Sequence, residues 1–290
     1  MEAGASAVGF ARAGEVSQGA LDSFEAWMER GDAGELGYMR NYPELRRDPR
    51  GLLEGCRTVV STAWAYDPPV LRDSFRPYLA RYAYCRDYHN ALRSAIKPVA
   101  RKIGEATGAS WRICIDSAPL MERYWAVRGG VGFCGRNGLL IVPGTGSRVF
   151  LAELLLTVDM EPDPPCTGSC GDCGACVREC PSGALAHSSS PDCRRCISAL
   201  TIEKPGSALW LPRPTLAGCD VCQDVCPHNS GAPATQVREL ATLPQLMDVD
   251  EEEIMLLTEE EFRARYAGTP LMRIGLEGLR ANLSIASEKK

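Results

Sequence analysis

The chain has no excess of basic residues and no long apolar run. Lys and Arg number 32 against 37 Asp and Glu, for a net charge of −5 over 290 residues. Nothing global therefore draws it to nucleic acid or to an anionic membrane, and any RNA contact needs a local basic patch. No stretch approaches the roughly 18–20 apolar residues of a membrane span. Residues 1–16 lack a basic segment followed by an apolar one. No secretion signal is read there, and a cytoplasmic chain without membrane association is expected. No G-x4-G-K-[ST] phosphate loop occurs. Gly130-Val131-Gly132-Phe133-Cys134-Gly135 fits a dinucleotide fingerprint only loosely.

Cysteine is plentiful. The chain has 14, and ten of them fall between Cys166 and Cys226. In a small secreted chain such density means disulfides, but bunched cysteines in a larger chain without a signal read as metal binding. The first motif is Cys170-x2-Cys173-x2-Cys176-x3-Cys180-Pro181. The second is Cys196, then Cys219-x2-Cys222-x3-Cys226-Pro227. The x2 spacings wrap one loop around a cuboidal cluster, and the cysteine after x3 points to the other cluster. One 4Fe–4S cluster is thus expected on Cys170, Cys173, Cys176 and Cys226, and a second on Cys180, Cys196, Cys219 and Cys222. Structural zinc also uses paired CxxC knuckles, but it does not need a further cysteine before proline twice over. Cys166 and Cys193 fall outside the pattern. Cys56, Cys85, Cys114 and Cys134 read as small buried residues, with Cys85 and Cys134 as candidates to line an active site.

The expected fold is α+β. Residues 1–160 form a mixed sheet-and-helix domain, 161–230 a ferredoxin-like segment, and 231–290 a short helical tail. Helices are predicted over Leu21–Arg30, His89–Thr107 (with a kink or break at Pro98) and Leu120–Arg128. Strands are predicted over Arg57–Tyr66, Arg76–Cys85, Trp111–Ile115, Gly138–Val142 and Val149–Val158. The glycines from Gly129 to Gly135 predict a loop. Glu161-Pro162-Asp163-Pro164-Pro165 predicts a domain joint. Thr258 to Glu261 forms a capping box, and that helix ends before Gly268 and Pro270. Two clusters relay single electrons, and the 160 residues ahead of them point to catalysis rather than simple electron carriage. Asp87-Tyr88-His89 begins like the cobalamin signature D-x-H-x-x-G, but Asn90-Ala91-Leu92 follows. Spacing alone names no redox cofactor.

Several segments, in order along the chain, resemble the tRNA epoxyqueuosine reductases. They are Gly37-Tyr38-Met39, Asp48-Pro49-Arg50, Ala80-Arg81-Tyr82-Ala83, Arg86-Asp87-Tyr88-His89, Asp116-Ser117-Ala118-Pro119, Gly132-Phe133-Cys134-Gly135-Arg136-Asn137, Cys193-Arg194-Arg195-Cys196-Ile197-Ser198 and Gly218-Cys219-Asp220. The resemblance implies a base-off cobalamin between the first domain and the clusters, which reduce it. It implies an epoxide substrate on the wobble base of a tRNA anticodon, reduced to queuosine with two electrons and two protons. It puts the proton donor at Asp116, with a carboxyl pKa raised by its surroundings. Asp116 could instead cap a helix starting near Pro119. Arg57, Cys85, Ser147, Ser198 and Asp220, with Asp116, fall where the family contacts cobalamin. Lys204 falls near RNA. His89 is either a catalytic, cobalt-facing group or a structural histidine. An external low-potential electron donor and a monomeric chain are expected.

The sequence departs from the family at Arg136, where many relatives carry lysine, and at Cys134, where no thiol is expected. Longer relatives continue into helical repeats that hold tRNA, so the RNA grip is expected from Arg40, Arg46, Arg47, Arg50, Arg263, Arg265, Arg273 and Arg280. The competing readings are a dehalogenase-like cobalamin reductase of a small molecule, an electron-transfer protein and a zinc protein.

Overall fold

The computed structural model describes residues 2–66, 76–186 and 190–285. Its strands in chain order are β1 (Ala7–Arg12), β2 (Thr58–Ala65), β3 (Tyr78–Leu79), β4 (Trp111–Cys114), β5 (Phe133–Cys134), β6 (Leu140–Ile141), β7 (Val149–Leu156) and β8 (Thr215–Ala217). The main sheet runs β1-β2-β7-β4, with every neighbouring pair antiparallel. All eight β2 residues are buried, as are most of β7. Central strands covered on both faces read as unbroken apolar runs rather than as alternation, which is why TVVSTAWA and VFLAELLL announce themselves.

The helix Tyr88–Thr107 covers one face. Its Ala91, Leu92, Ile96 and Ala100 pack on Trp64, Phe150, Leu154 and Leu156. The other face takes Leu21 from the helix Gln18–Glu29 and Trp125 from the helix Glu122–Arg128, packed with Ala11, Val59, Cys114 and Leu155. The long helix runs through Pro98 without the expected break. Pro98 is exposed, so the ladder bond it forfeits lies on the solvent side.

The strand expected over Arg76–Cys85 shrinks to Tyr78–Leu79, which pairs in parallel with β8. A 3-10 turn over Arg81–Tyr84 follows, because the Arg81 N–H donates to the buried Asp220 carboxylate at 2.7 Å instead of to a strand. Within the expected glycine loop, Phe133–Cys134 is instead a strand, β5, which pairs with β6 in a short hairpin. The Pro-rich joint lies along the free edge of β1. Asp163 N–H donates to Phe10 O, and Phe10 N–H donates to Asp163 Oδ2, both at 2.9 Å.

The C-terminal region is helical, and it is a buttress. Phe262, Tyr266, Leu271, Ile274 and Leu279 form one core with Leu79 and Tyr84 from the first region and with Leu216 and Ala217 beside the cysteines. The Thr258–Glu261 capping box is made in both directions. Among the described residues no helix is long and apolar enough to cross a membrane.

Candidate active site and cluster-binding cysteines

The cysteines sort in space as their spacing predicts. Cys170, Cys173, Cys176 and Cys226 line one small cavity with His228 and Arg136. Cys180, Cys196, Cys219 and Cys222 line another, of about 290 Å³. Each cavity thus meets four free thiols and is completed by a cysteine from the other motif, the donor set of a cubane cluster. Gly218, just before Cys219, has φ +76°, and a Cβ there would collide with that of Ala80. Its N–H donates to Thr201 Oγ1 at 2.9 Å, which anchors the loop carrying Cys219 and Cys222. Cys193 packs instead with Trp27 and Met28. Cys166 lines neither cavity.

Asp116 stands at the end of β4 with φ +53°, a left-handed backbone rare outside glycine. Its N–H donates to Glu122 Oε1 at 2.6 Å. The Tyr88 hydroxyl donates to Asp116 Oδ2 at 2.8 Å, and His89 Nε2 lies 3.4 Å from the same oxygen. His89 Nδ1 is 2.9 Å from Asp87 Oδ1, so the imidazole bridges two carboxylates. Tyr88 is held by stacking on Phe150, with centroids 4.3 Å apart, and on His89 at 4.1 Å. The helix after Asp116 begins only at Glu122 and has no side-chain cap, so Asp116 does not act as its cap.

The electrostatics differ from the expectation of a raised Asp116 pKa. The His89 contact, then the Tyr88 hydroxyl, holds the Asp116 carboxyl below its ordinary value against the opposing effect of burial. His89 is correspondingly raised, first by Asp116 and, after the opposing effect of burial, by Asp87. The proton of this pair therefore resides on the imidazole. Behind it lie two further acids. Burial, then repulsion from Asp116, pushes Glu122 up to about 7. Glu153, wholly buried on β7, is raised by burial and by Glu122. Neither Glu153 carboxyl oxygen makes a well-formed hydrogen bond among the described residues, and its near polar neighbours are the Glu122 carboxyl and the Ser61 hydroxyl.

Asp116, His89 and Glu122 line a cavity of about 540 Å³ together with Tyr38, Tyr42, Arg46 and Arg273. Arg273 donates to Glu203 at 2.7 Å, and Glu203 lines the cavity of the second cysteine quartet. The acid site and that quartet therefore occupy adjoining spaces.

The other expected contacts are scattered. Ser198 lines the second cysteine cavity. Asp220 is buried, accepting from the Tyr78 hydroxyl at 2.5 Å and from Arg81 N–H, and burial raises its pKa. Ser147 is buried and donates its N–H to Asn229 Oδ1 at 2.7 Å, tying β7 to the cysteine segment. Cys85 lies in the core under the long helix. Cys134 is exposed, outside the three cavities. Arg57 is exposed beside the Thr58–Leu156 end of the sheet and joins none of these groups.

Lys204 pairs with Glu35 at 2.6 Å. Of the eight candidate arginines, Arg46 and Arg273 line the Asp116 cavity. Arg50, Arg263, Arg265 and Arg280 pair with Asp48, Glu259, Glu253 and Glu277. Arg40 donates to Met28 O, and Arg47 is exposed. Sequence reasoning did not single out Tyr88, Glu122 or Glu153 as site residues. Glu153 had a signal, being the lone acid in the apolar run VFLAELLL.

Residues 46–117 match the family described as epoxyqueuosine reductase QueG, DUF1730, and residues 169–229 match a 4Fe-4S double cluster binding domain. The epoxyqueuosine reductase of Vibrio cholerae is 35% identical over 275 residues, which cover 91% of this chain and 74% of that protein. The epoxyqueuosine reductase of Leadbetterella byssophila is 36% identical over 91% of this chain and 88% of its own length. A crystal structure of epoxyqueuosine reductase with an epoxyqueuosine-modified tRNA-Tyr stem loop matches with TM-score 0.85 and 26% identity, over 97% of this chain and 77% of that one. The cysteine segment is a double 4Fe–4S domain, which sets zinc aside. With two quartets beside a carboxylate–histidine site and relatives of this likeness over nearly its whole length, the chain belongs to the epoxyqueuosine reductase family.

Proposed function

We propose that the chain reduces epoxyqueuosine in tRNA to queuosine, removing the epoxide oxygen as water with two electrons and two protons. The observation that carries this reading is the Asp116–His89–Tyr88 constellation, open to a nucleoside-sized cavity that adjoins a cluster site. The family likeness supports it.

Leu36, Leu139, Ala199 and Ile202, with the Ser198 hydroxyl, line the second cysteine cavity beside the cluster ligands and would offer cobalamin an apolar wall and a polar contact there. When bound, cobalamin supplies reducing power at cobalt, recharged one electron at a time through the clusters from an external low-potential donor.

The remaining chemistry belongs to side chains. An epoxide oxygen leaves only as its charge is neutralised, so a proton must be held beside it. His89 holds that proton between Asp87 and Asp116. Tyr88 and His89 both engage Asp116 Oδ2. A proton moved from Nε2 to that oxygen makes the carboxyl a donor, so the reacting oxygen must approach Asp116 at Oδ2. The tight Asp116 N–H bond to Glu122 keeps the carboxyl in place. A tRNA substrate implies cytoplasmic action, and the site is complete within one chain, consistent with a monomer.

The test is to purify the protein anaerobically, reconstitute its clusters, and add cobalamin, a strong reductant and epoxyqueuosine-containing tRNA. Nucleosides are then analysed by mass spectrometry. Loss of one oxygen that depends on cobalamin and vanishes in Asp116→Ala is expected. No conversion by protein with intact clusters and bound cobalamin would sink the tRNA reading in favour of a small-molecule substrate. No conversion and no cobalamin binding would favour an electron-transfer protein.

A further inference from the structure

Arg46 is anomalous among the arginines of the Asp116 cavity. Only 8% of its surface reaches solvent, and its Nε has no hydrogen-bond partner among the described residues. No carboxylate pairs with it among the described residues. Its neighbours in the cavity are matched, Arg273 by Glu203 and Arg123 by the Gly138 carbonyl. Of the acids nearby, Asp116 is engaged by His89 and Tyr88, and Glu122 accepts from the Asp116 N–H and acts on Arg46 only through its charge, without a hydrogen bond or an ion-pair contact. A guanidinium does not shed its charge in a protein, and a buried unpaired charge is costly. A fold that keeps one beside its reaction cavity holds a receptor for an anion that arrives with the substrate.

A second feature concerns what that anion is attached to. The chain reaches Arg46 through Tyr42, which has φ +55° and ψ +54°, a left-handed backbone held at the turn before Pro43. Non-glycine residues stay in that region only where their surroundings impose it, and such strain gathers at ligand sites. Tyr42 is 60% exposed and Tyr38 48%, although both line the same cavity as the buried Arg46. Exposed aromatic faces above a buried cation are the two halves of single-stranded nucleotide recognition. Bases stack on the rings, and a phosphate takes the charge.

We propose that Arg46 is the phosphate receptor of this cavity, gripping the phosphodiester that flanks the modified nucleoside while Tyr42 stacks a neighbouring base. The inference rests on the tRNA reading above and deepens it. The fork of a guanidinium suits the two free oxygens of a phosphodiester, and the grip fixes the nucleoside's register over Asp116.

The experiment measures binding, so it does not depend on turnover. An epoxyqueuosine stem loop is compared with versions carrying a neutral methylphosphonate at the linkage on either side of the modified nucleoside. Each is titrated against wild type, Arg46→Gln and Arg46→Lys, all cluster-loaded. Arg46→Gln should weaken binding of the natural stem loop by roughly 10- to 100-fold, the worth of a charged hydrogen bond. It should also lower the salt slope by about 0.7, the value for one phosphate on a single strand. One methylphosphonate should cost wild type the same factor and cost Arg46→Gln nothing more. Arg46→Lys should fall between, keeping the charge without the fork. Arg46→Gln should melt no lower than wild type, since it removes an unpaired buried charge. Unchanged binding by Arg46→Gln, or losses from variant and methylphosphonate that simply add, would overturn the inference while leaving the tRNA reading intact. A lower melting temperature with unchanged binding would make Arg46 structural. A wild-type chain that neither binds nor converts the stem loop would overturn the tRNA reading itself, and this inference with it.

Discussion

Glu122→Gln isolates the buried acids behind Asp116. Glutamine keeps the size of the side chain and an Oε1 acceptor for the Asp116 N–H, and removes only the ability to ionise. The folded chain raises Glu122 from an ordinary 4.5 to about 7, through burial and then the charge of Asp116, against the lowering effect of its contact with Glu153. Because the folded value is the raised one, the associated stability is fully present below 4.5 and is lost as pH rises through about 7. The full interval corresponds to about 3 kcal/mol. Wild type and Glu122→Gln should therefore melt together near pH 5. At pH 8 the variant should be more stable by up to about 3 kcal/mol, a rise of roughly 5–10 °C. The assay is anaerobic circular-dichroism melting of cluster-loaded protein from pH 5 to 9 at constant ionic strength. Glu122→Ala, which leaves the Asp116 N–H without its acceptor, should melt below Glu122→Gln at every pH. Parallel curves for wild type and Glu122→Gln, or a gap that closes as pH rises, would refute the buried-acid argument.

Three further outcomes follow from the geometry. Exchanging Cys226 for serine should disturb the same cluster as Cys173→Ser, and Cys180→Ser the same cluster as Cys222→Ser, as read by electron paramagnetic resonance of the reduced protein. Pairing by sequence motif instead would contradict the crossed ligand sets. The reaction rate should fall as pH rises through the raised pKa of His89, where the stored proton is lost. Asp87→Asn, which still caps the helix but withdraws one carboxylate, should move that limb to lower pH, and an unmoved limb would separate the rate from His89. Thr258→Ala should cost about 1 kcal/mol in chemical denaturation by opening the capping box, with cluster content unchanged.

Features carried by residues close together in the chain were legible in the sequence. The x2 and x3 spacings sorted eight cysteines into the two sets that line two cavities, because a short loop reaches a cluster in only a few ways. The runs at Thr58–Ala65 and Val149–Leu156 showed their strands, because central strands bury both faces. Asp116 was visible at a strand end through family resemblance. The reach of the strand near Arg76 was not, since Tyr78–Leu79 ends where a distant carboxylate, Asp220, takes the Arg81 N–H.

By itself, then, the sequence determined the cluster chemistry, the α+β class and the Thr258–Glu261 capping box, and it put Asp116 at the end of a strand. Tertiary structure alone decided the ionisation of that acid. Asp116 read as a carboxyl with a raised pKa, yet Tyr88 and His89, 28 residues from it in the first case, hold it low and store its proton on the imidazole. Tertiary structure also buried Glu153 and Glu122 together, made the C-terminal helices a shared core, and left the Arg46 Nε without a hydrogen-bond partner among the described residues while pairing the arginines around it. A pKa or an unpaired charge depends on which groups come within a few ångströms through space, and no local pattern of residues records that distance.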